Sequence, residues 1–83
     1  MYRIVIEQKA LKEIDVLPND ILQLVIDAID ALKANPRPHG IKKLVGETGW
    51  RIRVRHYRIL YTIDDKGKII TVYRVKHRRD VYR

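Results

Sequence analysis

The spacing of apolar residues changes period along the chain and divides it into predicted elements. Positions 2–6 contain three consecutive β-branched residues, which predict a first, mostly buried strand. From Gln8 the apolar residues recur every three or four positions, so we predict a short amphipathic helix that ends at Pro18. A second helix with a wide apolar stripe follows, and the pair Asn35-Pro36 ends it. The stripe consists of Ile21, Leu24, Val25, Ala28, Ile29 and Leu32.

Strict alternation of apolar and basic residues begins after positions 36–49, whose prolines and glycines predict a loop. The apolar positions are Trp50, Ile52 and Val54, and the alternate positions are Arg51, Arg53 and Arg55. A strand with this pattern buries one face and arrays three guanidinium groups on the other.

Two further strands are predicted over positions 57–63 and 68–76, joined by a hairpin turn at positions 64–67. Positions 77–83 form a short polar tail with room for one helical turn. The order β-α-α-β-β-β predicts an α+β fold, in which a helical hairpin packs on one face of a small, three- or four-stranded antiparallel sheet. We expect the face with Trp50 to meet the helices and the arginine face to form a basic concavity.

Length and composition indicate one small domain over residues 1–83. Apolar residues make up 46% and charged residues 34% of the chain, a balance typical of a folded domain and not of a disordered tail. No apolar stretch is long enough to span a bilayer and no signal-peptide pattern opens the chain, so we expect a cytoplasmic protein without a membrane partner. The absence of cysteine excludes disulfides, thiolate chemistry and cysteine-based zinc sites.

Positive charge is concentrated in the second part of the chain. Residues 1–35 carry four basic and six acidic side chains, whereas residues 36–83 carry fourteen basic and four acidic ones. The net charge of +8 and the isoelectric point near 10.1 indicate a polyanionic partner, either nucleic acid or an acidic protein. We therefore expect the first part to build the scaffold and the second part to present a basic surface.

The arginines around positions 51–58 are candidates for binding phosphate. They are Arg51, Arg53, Arg55 and Arg58, and no acidic residue lies between Gly49 and Ile63 to neutralise them. Repulsion among them costs stability unless an anion binds, and the planar guanidinium group suits phosphate. The alternative is an ordinary solvated face of a sheet. The tail adds Lys76, His77, Arg78, Arg79 and Tyr82, which alone would be typical of a solubilising patch.

His77 and Tyr82 are the candidates for proton transfer. An imidazole exchanges protons near neutral pH, and a tyrosine supplies a hydroxyl group or an aromatic face on which a base stacks. We interpret His39, in the loop, and His56, at the expected hairpin tip, as incidental.

Other catalytic mechanisms do not fit the residues of this sequence. Serine and cysteine are both absent, which excludes the common hydrolases that use a nucleophile and a base. The basic part has too few carboxylates for a two-metal nuclease, and we interpret Glu47 as a solvated loop residue. The chemistry that remains needs no metal or cofactor. In it the 2′-hydroxyl of RNA attacks the adjacent phosphate, arginines stabilise charge, and His77 or Tyr82 moves the proton.

Several segments together resemble the RelE family of bacterial type II toxins. They are ALKEIDVLP at positions 10–18, WRIRVRHYRILYTIDD at 50–65 and VYRVKHRRDVYR at 72–83, and YRILY and HRRDVY are the most specific pieces. The likeness covers nearly the whole chain and implies the β-α-α-β-β-β fold. It also implies a ribosome-dependent endoribonuclease that cuts messenger RNA in the ribosomal A site and is held inactive by a RelB-like antitoxin encoded beside it.

The resemblance also implies roles for particular residues. Arg58 is the arginine of the YR motif, Arg78 matches an arginine near the end of the last strand, with Lys76 as the alternative match, and Tyr82 is the terminal tyrosine. The family's basic residues on the preceding strand fall on Arg51 and Arg53. Because a guanidinium is a poor proton acceptor, the role of base passes to His77 or Tyr82. The candidates are therefore Arg58, His77, Arg78 and Tyr82 for catalysis, and Arg51, Arg53, Arg55, Lys76 and Arg79 for binding RNA.

Two other functions stay open on the sequence. The related ParE toxins share the fold and poison DNA gyrase, but they lack the ribonuclease residues that Arg58, His77, Arg78 and Tyr82 would match. A non-catalytic nucleic-acid-binding module would bind with steep salt dependence and leave the RNA uncut. Product analysis separates these functions, since the nuclease leaves a 2′,3′-cyclic phosphate and a free 5′-hydroxyl.

Overall fold

A computed structural model describes residues 1–81, with side chains up to Arg79, and has one five-stranded sheet with two main helices on one face. The strands are β1 (Arg3–Ile6), β2 (Lys42–Lys43), β3 (Trp50–Val54), β4 (Tyr57–Asp64) and β5 (Ile69–His77). The helices are α1 (Gln8–Asp15), α2 (Asn19–Ala31) and the single turn α3 (Arg78–Val81). In this part of the chain, no helix has the length and apolar character needed to cross a membrane. The predicted β-α-α-β-β-β order is confirmed for the longer elements, and the two-residue strand β2 and the single turn α3 are additional.

The strands lie in the order β1-β5-β4-β3-β2. The pairs β3–β4 and β4–β5 are antiparallel, as predicted. The sheet differs from the prediction at its two edges, where β1 runs parallel to β5 and Lys42–Lys43 add a short strand beside β3. The sheet is therefore mixed and five-stranded, instead of antiparallel with three or four strands.

The hydrophobic core fills the space between the two main helices and the sheet. The helical segment contributes Ala10, Ile14, Leu17, Val25, Ile29 and Leu32, and the sheet contributes Ile59, Tyr61, Ile70, Val72 and Val75. Trp50, Ile52 and Val54 pack against this core, as their alternation predicts. Pro18 separates the helices, and its carbonyl accepts the amides of Ile21 and Leu22 at the start of α2.

Glu13 attaches helix α1 to the part of β5 that extends beyond β1. Its carboxylate accepts hydrogen bonds from the Arg74 guanidinium at 2.9 and 3.1 Å and from the Val75 amide at 2.8 Å. β1 pairs with β5 only as far as Val72, so Glu13 supplies the acceptor that a longer β1 would have supplied. The contact fixes the end of β5 that leads into α3.

Asp65 joins three segments at the other end of the sheet. Arg37, in the loop after α2, donates two hydrogen bonds to its carboxylate, and the Tyr2 hydroxyl donates a third at 2.6 Å. These bonds, that of Arg37 first, lower the pKa of Asp65 from 3.8 to about 2. The turn between β4 and β5 is thereby tied to the residue before β1 and to the loop after α2.

Candidate nucleic-acid interface

The register of the three longest strands aligns three basic residues across the sheet. Arg53 on β3 lies directly opposite Arg58 on β4, and Arg58 lies opposite Lys76 on β5. The apolar residues next to them in each strand pack on the core, so alternation directs these three side chains to the opposite face. Like charges placed opposite one another repel, and a bound anion relieves that repulsion.

A cavity of about 380 Å³ opens where β3 turns into β4. The described residues that line it are Arg53, Arg55, His56, Arg58 and Arg78. Arg58 is buried, with 2% of its surface exposed, whereas the other four residues are exposed. Guanidinium groups bind phosphate through paired, charge-assisted hydrogen bonds, so this arginine cavity suits a phosphate group.

Two neighbouring cavities extend the arginine cavity along the surface. One, of about 210 Å³, is lined by Gly40, Lys42, Arg51 and Arg53. The other, of about 380 Å³, is lined by His56, His77, Arg78 and Arg79. Shared residues join the three cavities into one continuous surface, which we call the basic trough. Such a surface matches the run of phosphates along a single nucleic-acid strand.

Alternation predicts that β3 continues through Arg55, but this prediction is wrong. β3 ends at Val54, which pairs with Tyr57, so Arg55 and His56 form a two-residue turn. Arg55 has a φ of 56°, in the left-handed region that few residues other than glycine adopt. Two-residue hairpin loops require positive φ because that conformation matches the twist of the flanking strands. The turn places Arg55 at the arginine cavity instead of on the face of the sheet.

Two backbone amides donate the hydrogen bonds that attach the first turn of α3 to this hairpin and to β5. The Arg78 amide donates to the His56 carbonyl at 2.6 Å, and the Arg79 amide donates to Nδ1 of His77 at 3.2 Å. The His77 ring also packs edge-on against Tyr57, with ring centroids 5.1 Å apart. Because Nδ1 of His77 accepts a hydrogen bond, the ring proton of the neutral imidazole lies on Nε2.

A protein-family model described as the ParE toxin of the type II toxin–antitoxin system parDE matches residues 4–82 of the chain. The chain belongs to this toxin family. No curated protein matches the toxin in sequence.

Solved structures of RelE-type complexes share the fold of the toxin. A chain of the archaeal RelE–RelB complex from Pyrococcus horikoshii OT3 is 28% identical, with a TM-score of 0.82 over 93% of this chain and 94% of that chain. A chain of the RelBE2 toxin–antitoxin complex from Mycobacterium tuberculosis is 29% identical, with a TM-score of 0.80 over 92% of this chain and 96% of that chain. A chain of the intact E. coli RelBE toxin–antitoxin complex is 24% identical, with a TM-score of 0.80 over 93% of this chain and 96% of that chain. The predicted RelE-like fold, within the wider group of RelE and ParE toxins, is confirmed.

Most of the residues selected from the sequence come together in the toxin. Arg51, Arg53, Arg55, Arg58, His77, Arg78 and Arg79 line the basic trough, and Lys76 belongs to the row that crosses the sheet. Tyr82 lies outside the described residues, so its predicted role stays a prediction.

Sequence reasoning missed two contributors to the basic trough. His56, interpreted as incidental, lines two of the three cavities, and Lys42 lines the third. The position of His56 between Arg53 and Arg58, in a predicted turn, was the available signal. Lys42 carried no such signal, because only its pairing with Arg51 on the edge of the sheet brings it to the trough.

Among residues 1–79, no acidic side chain lines the basic trough. Glu47 is exposed in the loop before β3, as expected, and lines a separate polar cavity with Glu7 and Tyr73. Burial and, secondarily, the charge of Glu47 raise the pKa of Tyr73, whose hydroxyl donates to the Thr48 carbonyl at 3.1 Å. Across residues 1–79, no group of three or more His, Asp or Glu side chains is placed to hold a metal ion.

Proposed function

We propose that the toxin is an endoribonuclease that cleaves messenger RNA in the ribosomal A site, and therefore acts in the cytoplasm. The basic trough carries this proposal, because it joins a row of cations to a cavity that also contains an imidazole. The RelE-like sequence motifs and the similarity to RelE chains support ribonuclease activity in particular.

The proposed reaction uses the 2′-hydroxyl of the RNA as its nucleophile and needs no metal ion or cofactor. As this oxygen bonds to phosphorus, the phosphate gains negative charge, which guanidinium groups stabilise more strongly in the transition state than in the ground state. Arg53, Arg58 and Arg78 supply that charge from β3, β4 and α3. The products are a 2′,3′-cyclic phosphate and a free 5′-hydroxyl.

The proposed partner is a RelB-like antitoxin that holds the toxin inactive. Beside β1, an edge strand, the helices leave an apolar groove of about 290 Å³. Its apolar lining is Ile4, Ile6, Leu11, Ile14, Ile26 and Ile29, and Leu11 and Ile26 are 42% and 44% exposed. An apolar groove next to a free strand edge suits an amphipathic protein segment. We propose that one antitoxin segment packs in this groove while an acidic segment covers the basic trough.

Primer extension on a defined message tests the ribonuclease. We expect cleavage in programmed ribosomes, none of the free message, and none of a copy with 2′-O-methyl at the cut position, because that copy lacks the nucleophile. Arg53→Ala is expected to lower the cleavage rate by about 10²-fold, since it removes one donor to the developing charge. Arg3→Ala, an exposed arginine outside the basic trough, serves as the matched control.

The match to ParE toxins supports one alternative, inhibition of DNA gyrase. A gyrase supercoiling assay with the same preparation separates the two functions. Inhibited supercoiling together with uncut message on the ribosome would replace the ribonuclease by a gyrase inhibitor. Salt-sensitive RNA binding without either activity would leave a binding module.

A further inference from the structure

The two histidines at the basic trough have different surroundings, and these differences assign them different roles. We propose that His56, and not His77, is the residue that accepts the proton of the 2′-hydroxyl during RNA cleavage. The assignment rests on the proposed ribonuclease function and names one chemical role within it.

His56 lines the arginine cavity, where four arginines suit a phosphate group. A guanidinium stays charged at neutral pH, whereas an imidazole accepts and donates protons there. Among the described residues that line this cavity, His56 is thus the one that can transfer a proton. Its side chain is exposed, so an RNA bound in the cavity has access to the imidazole.

His77 has a structural role in the same region. Its Nδ1 accepts the Arg79 amide and its ring packs against Tyr57, so the ring holds the first turn of α3 against β5. It lines the neighbouring cavity with Arg78 and Arg79 and is not among the residues that line the arginine cavity. His77 is therefore a positioning residue, which fixes Arg78 for phosphate binding.

The backbone of the hairpin turn holds His56 at the junction of the two cavities. Its carbonyl accepts the Arg78 amide at 2.6 Å, and its ring centroid lies 6.2 Å from that of His77. Because this hydrogen bond uses the carbonyl, the imidazole does not serve as the anchor of the turn. Substitution of the His56 side chain leaves that anchor in place.

The proposed step transfers one proton and exchanges one bond at phosphorus. The 2′-oxygen forms a bond to phosphorus as its proton moves to the neutral imidazole of His56. The bond between phosphorus and the 5′-oxygen breaks, and that oxygen takes a proton from a water molecule. The imidazolium then releases its proton to solvent, which returns the residue to its starting state.

Replacement of His56 by alanine tests this role in single-turnover cleavage on programmed ribosomes. We expect the rate to fall by about 10²-fold or more and to recover in part when free imidazole is added. His39→Ala, an exposed loop histidine outside the basic trough, is the matched control and is expected to cleave like the wild type. Circular dichroism and thermal unfolding of each variant verify the fold.

The pH profile supplies a second readout. Among residues 1–79, the charged or titratable groups that line the cavities with His56 are Arg53, Arg55 and Arg58 from the hairpin, Arg78 and Arg79 from α3, and His77 from β5. Guanidinium groups stay charged at neutral pH, so the proposed role predicts a wild-type rate that depends on pH and the loss of this dependence in His56→Ala. His77→Asn retains an acceptor for the Arg79 amide, so we expect it to keep the dependence of the rate on pH even where the rate itself falls.

The outcomes distinguish this role from the function on which it rests. If the wild type and His39→Ala cleave and His56→Ala cleaves equally well, the role of His56 is wrong while the ribonuclease stands. The role is also wrong if His56→Ala is slow, keeps the wild-type pH profile and gains nothing from imidazole. If neither the wild type nor the control cleaves RNA on the ribosome, the ribonuclease proposal fails, and the role of His56 fails with it.

Discussion

Two arginines in the same cavity differ in burial, and this difference determines what their variants measure. Arg58 is 2% exposed, so its truncation removes buried contacts and alters stability as well as the site. Arg53 is exposed on β3, and its truncation leaves the core intact. Loss of cleavage in Arg53→Ala therefore reports on the chemistry of the cavity, whereas loss in Arg58→Ala mixes chemistry with folding.

Asp65 gives the fold a predictable response to acid. Its pKa of about 2 lies below the usual 3.8, so its ionised form stabilises the fold above about pH 4, and this contribution is lost as the pH falls toward 2. We expect Asp65→Asn to be less stable than the wild type at pH 7, with a difference that shrinks between about pH 4 and 2. Urea unfolding across this range measures the effect.

Asp15→Asn, on the exposed end of α1, is the control for this pH series. Its stability is expected to follow that of the wild type at every pH. An Asp65→Asn curve that runs parallel to the wild-type curve down to pH 2 would contradict the role of the hydrogen bonds from Arg37 and Tyr2.

At the scale of elements, Glu13 is the main polar connection between α1 and β5. Glu13 and Arg74 have side chains that are 24% and 25% exposed, so solvent screens their ion pair less than it screens a surface pair. Glu13→Ala removes this carboxylate and leaves the Val75 amide without its acceptor. We expect a loss of about 1–3 kcal/mol in the free energy of unfolding, measured by chemical denaturation.

Glu7→Ala is a matched control, because Glu7 is exposed and makes no side-chain capping bond at the start of α1. Its effect is expected to stay within about 0.5 kcal/mol, as for most surface substitutions. Equal stability losses in the two variants would contradict the role of the contact between Glu13 and β5.

The β3–β4 hairpin and α3 form the element-scale unit that builds the candidate site. The hairpin places Arg53 and Arg58 opposite each other, its turn presents Arg55 and His56, and α3 adds Arg78. A tight hairpin and a single helical turn fit together here because the His56 carbonyl accepts the amide that begins α3. The site therefore depends on two short elements that meet at one hydrogen bond.

The whole molecule separates its two proposed surfaces along the chain. In the described part of the chain, the residues that line the apolar groove lie within positions 4–33, and those that line the basic trough lie within positions 40–79. The surfaces share no residue. This division follows the distribution of charge, because residues 36–83 carry the excess of basic side chains. Both parts build the scaffold, since β4 and β5 also contribute to the core.

Separate surfaces predict separable functions. Ile26→Asp places a charge in the apolar groove, and an antitoxin segment bound there would bury that charge. Because burial of an unpaired charge costs about several kcal/mol, we expect the variant to lose antitoxin binding. Ile26 is 44% exposed in the toxin alone, so we expect the variant to fold and to retain ribosome-dependent cleavage. Binding to the product of the adjacent reading frame, measured by calorimetry, and primer extension test the two expectations.

Asp27→Asn, at the next and exposed position of α2, is the control for the groove variant and is expected to bind like the wild type. Loss of both binding and cleavage in a folded Ile26→Asp variant would contradict the independence of the surfaces. Failure of the wild type to bind the neighbouring product would remove that product as the antitoxin.

Local patterns were sufficient to predict most of the elements and the faces of the central strands. Alternation has a period of two, so it assigned Trp50 and Ile52 to the core and Arg51 and Arg53 to the other face without knowledge of the partner strands. The helical spacing likewise identified the core residues Val25, Ile29 and Leu32, but it was wrong for Leu24, which is 37% exposed and outside the core. The Asp64–Gly67 segment indicated the last turn. These features depend on residues close together in the sequence.

The remaining features depend on residues far apart in the chain. Alternation is the same for either strand direction, so the parallel pairing of β1 with β5 had no local signal, and Lys42–Lys43 form a strand only because β3 lies beside them. The candidate site likewise combines features that local sequence determines with features that depend on residues far apart in the chain. The composition of the basic surface follows from local sequence, whereas the choice between His56 and His77 depends on long-range packing, which places the hairpin turn against α3 and engages Nδ1 of His77.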